Sequence, residues 1–448
     1  MSSAPKPVGD GFDFEEPEDG FADDDLLSPD DGQINLMEAS NEMNRSYLER
    51  DNFENEIGTV GSDDPFAEDF SVISQHSIVE VIADGDRVGR PIIVIFAYRF
   101  PSNKTFDHQK FLRFLRFTLD KVVDLDYTIV YFHYGLRSNN KPPLKWLIQA
   151  YQMLDRRYKK NLKRLYLVHP TRFIRFAWRV FQPLISMKFE KKVQYVNFLH
   201  ELDAELRVEQ LNLPQPIIDH DATLSFAANT PVFGSTTPSS APPRPTQQFD
   251  VSLDFILNHN PNCDVPPLVT DLIAFLRVHG LEVEGIFRRS AGVATIRQLQ
   301  ARINLGETID FAKEPQFNCN MQVAAIHAAV LLKTFLRSLG EPVITNRLYP
   351  VLISMIDVPK NEKSTAVQEF VRLLPPCNKV LLKTVVQFLT EVAKNSKVNL
   401  MNPNNLSVVF GPNLTWPTDQ QVPVSQLNNL NNFCHKLIVD YNLIFEDP

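Results

Sequence analysis

Residues 284–291 read EGIFRRSA, two arginines placed directly after a glycine and a pair of bulky apolar residues. Burial of Ile286 and Phe287 is expected to fix the backbone here. That limits the entropy lost when Arg288 or Arg289 is held in one direction. A guanidinium so held offers a permanent charge and a planar fork of donors that fits carboxylate or phosphate oxygens. The same string also fits two solvated arginines, or one arginine tying the loop down through carbonyl oxygens. A second cluster, LLKTFLRSLGEPV (331–343), sets Lys333 and Arg337 four residues apart with no acid between them. Like charges at that helical spacing repel, which suits an anionic partner, although a solvated helix face explains the pair as simply. A third, MNPNNLSVVFGPNL (401–414), supplies Asn404, Asn405 and Asn413, whose amides both donate and accept. Asn404 reads as a helix cap and Asn413 as a turn residue after Gly-Pro.

The elements that must position these groups fall into two textures. From about 250 to 448, segments such as PPLVTDLIAFLRVHG, AAIHAAVLLKTFLRSLG and NKVLLKTVVQFLTEVAKNS repeat apolar residues at helical spacing, and alternating strands are nearly absent. This part is predicted to be all-α. Residues 75–215 alternate strand and helix patterns. Two β-rich runs in 77–101 precede an amphipathic helix over 106–123 and an apolar run at 127–135; 143–170 then reads as helix, basic turn and strand. That order predicts an α/β domain with a largely parallel sheet. Residues 216–248, rich in Pro, Ser and Thr, read as an extended linker. Within it Pro242, Pro243, Arg244 and Pro245 form one PxxP string, a bare spacer or a polyproline ligand for an SH3 groove.

At 448 residues the chain exceeds one ordinary core. Its net charge of −9 conceals an asymmetry: residues 1–70 hold 21 acidic and 3 basic side chains. An acidic leader over 1–72 cannot bury enough surface to offset chain entropy and is expected to be disordered. It also lacks the apolar stretch of a secretion signal, and no run of eighteen apolar residues predicts a membrane span. Four scattered cysteines, Cys263, Cys319, Cys377 and Cys434, form neither a zinc knuckle nor a disulfide framework and fit a reducing, cytoplasmic setting. His133 and His169, at strand ends without a nucleophile or acid at a recognisable spacing, read as core histidines. Between 156 and 192 twelve cations face one acid. Lys159, Lys160, Lys163, Arg164, Lys191 and Lys192 among them fit either a solvated face or contact with anionic phospholipid, at about 1 kcal/mol per basic residue near a charged membrane surface. No nucleic-acid fold accompanies this charge.

Together the three clusters resemble the RhoGAP domain family, whose pattern runs G-[IF]-[FY]-R, then K-x-x-L-R with E-P soon after, then N-L-[AS]-x-x-F-G-P-N. The resemblance covers about 250–448. It implies that Arg288 is an arginine finger supplied in trans to a Rho-family GTPase (Rho, Rac or the Cdc-type). Arg289, Lys333, Arg337, Asn405 and Asn413 would then contact that GTPase. Ser338 and Gly340 depart from the family's L-R-E-L-P-E-P string. Residues 75–215 resemble the Sec14/CRAL-TRIO fold in its BCH-type subgroup, carried by YTIVYFHYGL, LKRLYLVHPTRFIRFAWRVFQPLIS and FEKKVQYVNFLHEL. The resemblance implies a multidomain GTPase activator whose α/β domain meets membrane lipid, a prenylated GTPase tail or a regulatory protein. No GxxxxGK[ST] loop occurs, so no cofactor is implied for this chain; GTP and Mg²⁺ belong to the partner. The rival reading is a lipid-binding scaffold or GTPase effector without activating function.

Overall fold

A computed structural model of the chain describes residues 68–445, apart from 83–85, 155, 183–184, 204, 235–241, 356–357, 360–361, 418–421 and 423. The acidic leader therefore lies outside the described residues up to position 67. Its predicted end, however, is ordered. Phe70 packs against Phe114 and Phe117, and Glu68 pairs with Arg113 at 2.7 Å. An aromatic ring with an apolar surface to cover explains why residues 68–72 pack on the α/β domain.

The α/β half is built on strands β1 (Val79–Ile82), β2 (Ile92–Phe96), β3 (Tyr127–Phe132), β4 (Leu162–Val168) and β5 (Val193–Val196). They lie side by side in chain order. β1 is antiparallel to β2, and the other pairs are parallel. Side chains alternate across the pleat. Ile92, Val94 and Phe96 therefore join Val130, Phe132 and Val168 in a core on one face, while Ile93 and Tyr127 pack with the other. The second face is covered by α1 (His108–Asp120) and α2 (Leu144–Met153). Asp107 caps α1 by accepting from the Gln109 and Lys110 amides, and the Trp146 indole donates to the His108 carbonyl at 2.7 Å. The expected basic turn before β4 is a short helix, Arg156–Asn161, followed after β4 by α3 (Arg172–Phe181).

The predicted linker needs correction at its start. Residues Gln215–Ala227 form a helix, α4, with Pro214 and Pro216 at its entry. Prolines that read as linker composition open a helix here, because the first turn has no use for the missing N–H. Ile217 is fully buried against the sheet core. Asp221 accepts from His169 Nε2 at 3.0 Å and from the Leu199 amide at 2.7 Å, with both side chains of the pair 1% exposed. The two strand-end histidines are thus structural. His133 bonds Thr171 at 2.8 Å, and its pKa falls to about 4 because burial disfavours the charge.

The second half is helical: α5 (Pro267–His279), α6 (Val293–Asn304), α7 (Met321–Ser338), α8 (Lys363–Arg372), α9 (Pro376–Lys394), α10 (Pro403–Leu414) and α11 (Val424–Val439). At its centre runs α7, buried continuously from Ala324 to Ser338. Its alanines at 324, 325, 328 and 329 let neighbours approach on several sides. α10 and α11 pack so closely that a Cβ on Gly411 would sit 2.8 Å from Asn431 Oδ1 and 3.0 Å from Leu430 backbone. Among the described residues no helix is long and apolar enough to cross a membrane, and all four cysteines are free thiols.

Removing the Asp221 carboxylate leaves two buried donors without an acceptor, at roughly 1–3 kcal/mol each. Asp221→Ala should therefore lower the unfolding free energy of the α/β domain by about 3 kcal/mol. Urea denaturation followed by tryptophan fluorescence will report that loss.

Candidate functional site

The EGIFRRS string connects α5 to α6 and turns sharply twice. Gly285 and Phe287 both take left-handed conformations, with φ of +67° and +68°. Glycine does this freely; a phenylalanine gives up roughly 1–2 kcal/mol. Burial offsets that cost. The Phe287 ring is 1% exposed and stands edge-on to Phe410 at 4.9 Å and Phe388 at 6.1 Å, an arrangement that favours aromatic quadrupoles. The backbone is stitched down from three sides. The Gly285 amide donates to the Asn399 carbonyl at 2.8 Å, and the Gly285 carbonyl accepts from the Arg288 and Arg289 amides at 2.9 and 2.8 Å. Lys333 Nζ donates to the Phe287 carbonyl at 3.0 Å. Asn399 is itself fully buried, donating to Leu281 and Val392 carbonyls and accepting from the Met401 amide.

From this held bend Arg288 and Arg289 emerge exposed, but they diverge. Arg288 lines a cavity with Lys333 and Asn413. Arg289 folds back over the bend, where a methyl on Gly285 would meet its Cγ at 3.1 Å. Lys333 and Arg337 do not lie on a solvated helix face, and that reading is corrected here. They are 5% and 9% exposed, because α7 is surrounded by other helices. Their charges are separated by pointing at different partners. The Arg337 guanidinium lies 3.8 Å over the Trp416 ring and donates to the Pro412 carbonyl at 3.3 Å. Burial pushes the Lys333 amine down to about 8, against the pull of the Asp86 and Asp126 carboxylates.

Two asparagine readings also change. Asn413 is not in a turn but within α10, buried, its amide donating to the Val409 carbonyl at 2.6 Å. The cap of α10 is Asn402, which accepts from the Asn405 amide at 2.9 Å, and Asn404 is simply exposed. Pro403 at the first helical position fixes the start two residues earlier than a cap at Asn404 would. Asn405 donates its side-chain amide to the Leu400 carbonyl at 2.8 Å; it lies about one turn from the cavity-lining Val408 and Val409.

The α/β domain sits directly on this face. A tight turn, Asp86 to Arg90, is organised by the 4% exposed Asp86, which takes the Val88 and Arg90 amides. The turn delivers a fully buried Val88 and the left-handed Gly89 to the site; a Cβ on Gly89 would stand 3.6 Å from Lys333 Nζ. Asp126 accepts from the Ser290 hydroxyl at 2.7 Å and amide at 3.2 Å, and pairs with Lys163 at 2.9 Å. What remains between Arg288, Lys333, Asn413 and this cover is a cavity of about 30 Å³, room for a water or two. Of the basic residues proposed to meet lipid, Lys159 lies over Tyr151 and Lys192 donates to the Lys159 and Lys160 carbonyls. Lys160, Arg164 and Lys191 are exposed.

Comparison with known proteins places these features. The family description "RhoGAP domain" matches residues 266–419, and "Divergent CRAL/TRIO domain" matches residues 89–223. Human Rho GTPase-activating protein 1 is 40% identical over 391 residues, covering 86% of this chain and 85% of its own. The chain belongs to the Rho GTPase-activating protein family. Mouse Rho GTPase-activating protein 8 is likewise 40% identical over 388 residues, 86% of this chain and 88% of that one. Rho GTPase-activating protein 68F of Drosophila melanogaster is 37% identical over 369 residues, 80% and 75%.

Sequence reasoning missed Asn399 and Asp126; it read a Gly-Asp turn between the first two strands but not that the 86–90 segment reaches this site. Asn399 carried a faint signal as a lone amide next to an apolar pair, whereas Asp126 gave none, since its partner is 164 residues away. Phe287→Ala should remove about 3–5 kcal/mol of stability from the helical domain. It should also loosen the bend, read as faster amide exchange at Arg288 and Arg289 than at α9.

Proposed function

We propose that this chain accelerates GTP hydrolysis by Rho-family GTPases, with Arg288 inserted into the partner's nucleotide site. The observation that carries the reading is the Arg288 geometry: an exposed guanidinium on a bend whose backbone is fixed by Phe287, Asn399 and Lys333. Little entropy is lost on inserting a side chain from such a base. The guanidinium supplies charge and bidentate donors where negative charge grows on the transferring phosphoryl oxygens. GTP, Mg²⁺ and the attacking water belong to the partner, so this chain completes a site rather than holding one. Lys333 and Asn399 act on the bend, Arg337 on the end of α10, and Asn405 offers an amide beside them. Arginine fingers contribute roughly 10³–10⁵ in rate, or about 4–7 kcal/mol.

The α/β cover sets the second part of the proposal. Arg288 is exposed, but Lys333 and Asn413 are buried beneath the cover, so a partner that must touch all three needs the domains to part. The exposed Pro242–Pro245 string, if engaged by an SH3 domain, and Lys160, Arg164 and Lys191 at an anionic membrane are the handles by which location would be set.

Single-turnover hydrolysis by Rho, Rac and the Cdc-type GTPase tests the finger. Arg288→Ala should lower the stimulated rate by at least 10³-fold while GTPase binding stays within a few-fold, and Arg289→Ala should be mild. An active Arg288→Ala chain would leave a scaffold. In the full chain Asp126→Ala removes the acceptor of Ser290 and Lys163. It should raise the stimulated rate several-fold; a rate equal to the parent's would mean that the cover is not limiting.

A further inference from the structure

Two bulky residues near Arg288 take left-handed backbone conformations, Phe287 and Leu400, and burial explains only the first. Phe287 is wedged between Phe388 and Phe410. Leu400, at φ +61°, closes the one-turn helix Ser396–Asn399 that follows α9. Its amide donates to the Ser396 carbonyl at 3.0 Å, and its own carbonyl accepts from the Asn405 side chain at 2.8 Å. A helix ending of this kind ordinarily places glycine or asparagine at the left-handed residue, because a Cβ there crowds the following carbonyl. Asn212 and Asn318 meet that preference after the short helical turns Val208–Leu211 and Pro315–Phe317. Leu400 has neither the residue type nor the burial, since it is 49% exposed. An exposed leucine by itself requires no explanation. One that is also held in a disfavoured conformation does, and such residues collect where function outweighs stability. Its place is set by the site. Leu400 follows Asn399, whose carbonyl takes the Gly285 amide of the bend and whose side chain donates to the Leu281 carbonyl. Hydrogen bonds thus tie this turn to the bend on one side and to α10 on the other.

We propose that Leu400 is an apolar anchor that packs against an aliphatic or aromatic side chain of the GTPase receiving Arg288. The occupant follows from continuity with the bend: a protein that takes up Arg288 passes over the turn whose Asn399 carbonyl holds Gly285. Val398, 57% exposed, adds a second apolar side chain to the same turn. Burial against the partner returns to leucine what the left-handed backbone withholds in the free chain. Glycine or asparagine would relieve the backbone and leave nothing to bury. Leu400 is open to solvent in the covered arrangement, unlike Lys333 and Asn413, so this contact does not wait for the domains to part. An apolar contact is alike in the ground and transition states; it strengthens the complex and leaves the rate within it to Arg288. The inference rests on the reading that a Rho-family GTPase is the partner, and it adds a binding residue to that site.

The test uses the full chain and multiple-turnover hydrolysis, with GTP-loaded Rho, Rac and the Cdc-type GTPase as substrates. Leu400→Asn should raise KM roughly 3–10-fold, the effect of leaving about half a leucine side chain in water, with kcat within about twofold of the parent's. Its urea midpoint should be no lower than the parent's. Leu400→Met keeps an apolar surface and should hold KM within about twofold. The parent chain supplies a check that no folding defect can blur: with leucine methyls labelled, the Leu400 resonances should shift when GTPase carrying GDP and aluminium fluoride is added, and a soluble paramagnetic relaxation agent should reach them less. A KM for Leu400→Asn equal to the parent's, or methyl resonances unmoved by every GTPase, overturns the anchor. So does a fall in kcat at unchanged KM, which would make Leu400 a support of the bend, and so does a lowered midpoint, which would assign the leucine to the fold. Shifted Leu400 methyls in a chain that stimulates no GTPase would refute the activating function and leave the contact intact. An activity lost in Arg288→Ala but unaltered in Leu400→Asn would do the reverse.

Discussion

A left-handed phenylalanine governs this site. Phe287 adopts a backbone conformation that its side chain disfavours, and it does so because its ring is wedged between Phe388 and Phe410. Burying such a ring is worth about 1.5–3 kcal/mol, enough to hold a conformation that costs roughly 1–2 but not to hold it rigidly alone. Four hydrogen bonds, one from Lys333, one to Asn399 and two within the bend, add the rest. The consequence is local and directional. Ile286 and Phe287 point inwards, and the next two side chains must leave in different directions, one towards the cavity and one back across Gly285. Neither arginine is chosen by its own interactions. The bend chooses for them.

That dependence explains why three strings spread from residue 284 to residue 414 serve one place. α7 brings Lys333 beneath the bend, and α9 brings Phe388 beside it. The turn after α9 brings Asn399, and α10 brings Phe410 and Asn413. Gly411 belongs to the same logic: a side chain there would force α11 away from α10 and move Phe410 with it. Arg337 contributes at one remove, pinning the Pro412 carbonyl under Trp416.

Much of this architecture could be read from residue patterns. The β-rich run of Ile92 to Phe96 declared a strand, the apolar spacing of 106–123 declared the helix on its face, and Ile286 and Phe287 announced an anchor. What failed has physical causes. Lys333 and Arg337 looked solvated because a helix wheel cannot show that small residues admit neighbours on every side of α7. Pro216 looked like linker because composition does not distinguish a helix entry from a spacer. Asn413 looked like a turn because Gly-Pro usually breaks a helix, whereas here close packing with α11 keeps α10 intact through it. The seam was illegible. It joins Asp126 to Ser290 and Asp86–Arg90 to Lys333, contacts between domains whose docking no single-sequence periodicity records.

The same lysine lies at both junctions, and its energetics tie them together. Lys333 supports the bend through the Phe287 carbonyl and lies against Gly89 of the cover. Burial lowers its pKa to about 8 from 10.5, so between those values the unfolded chain holds the proton that the folded chain has lost. Stability from this group therefore rises with pH across that window, and below it the fold carries a charge that burial disfavours. Asp86 and Asp126 reduce this cost without bonding the amine directly. The covered state thus rests partly on carboxylates held near a desolvated cation.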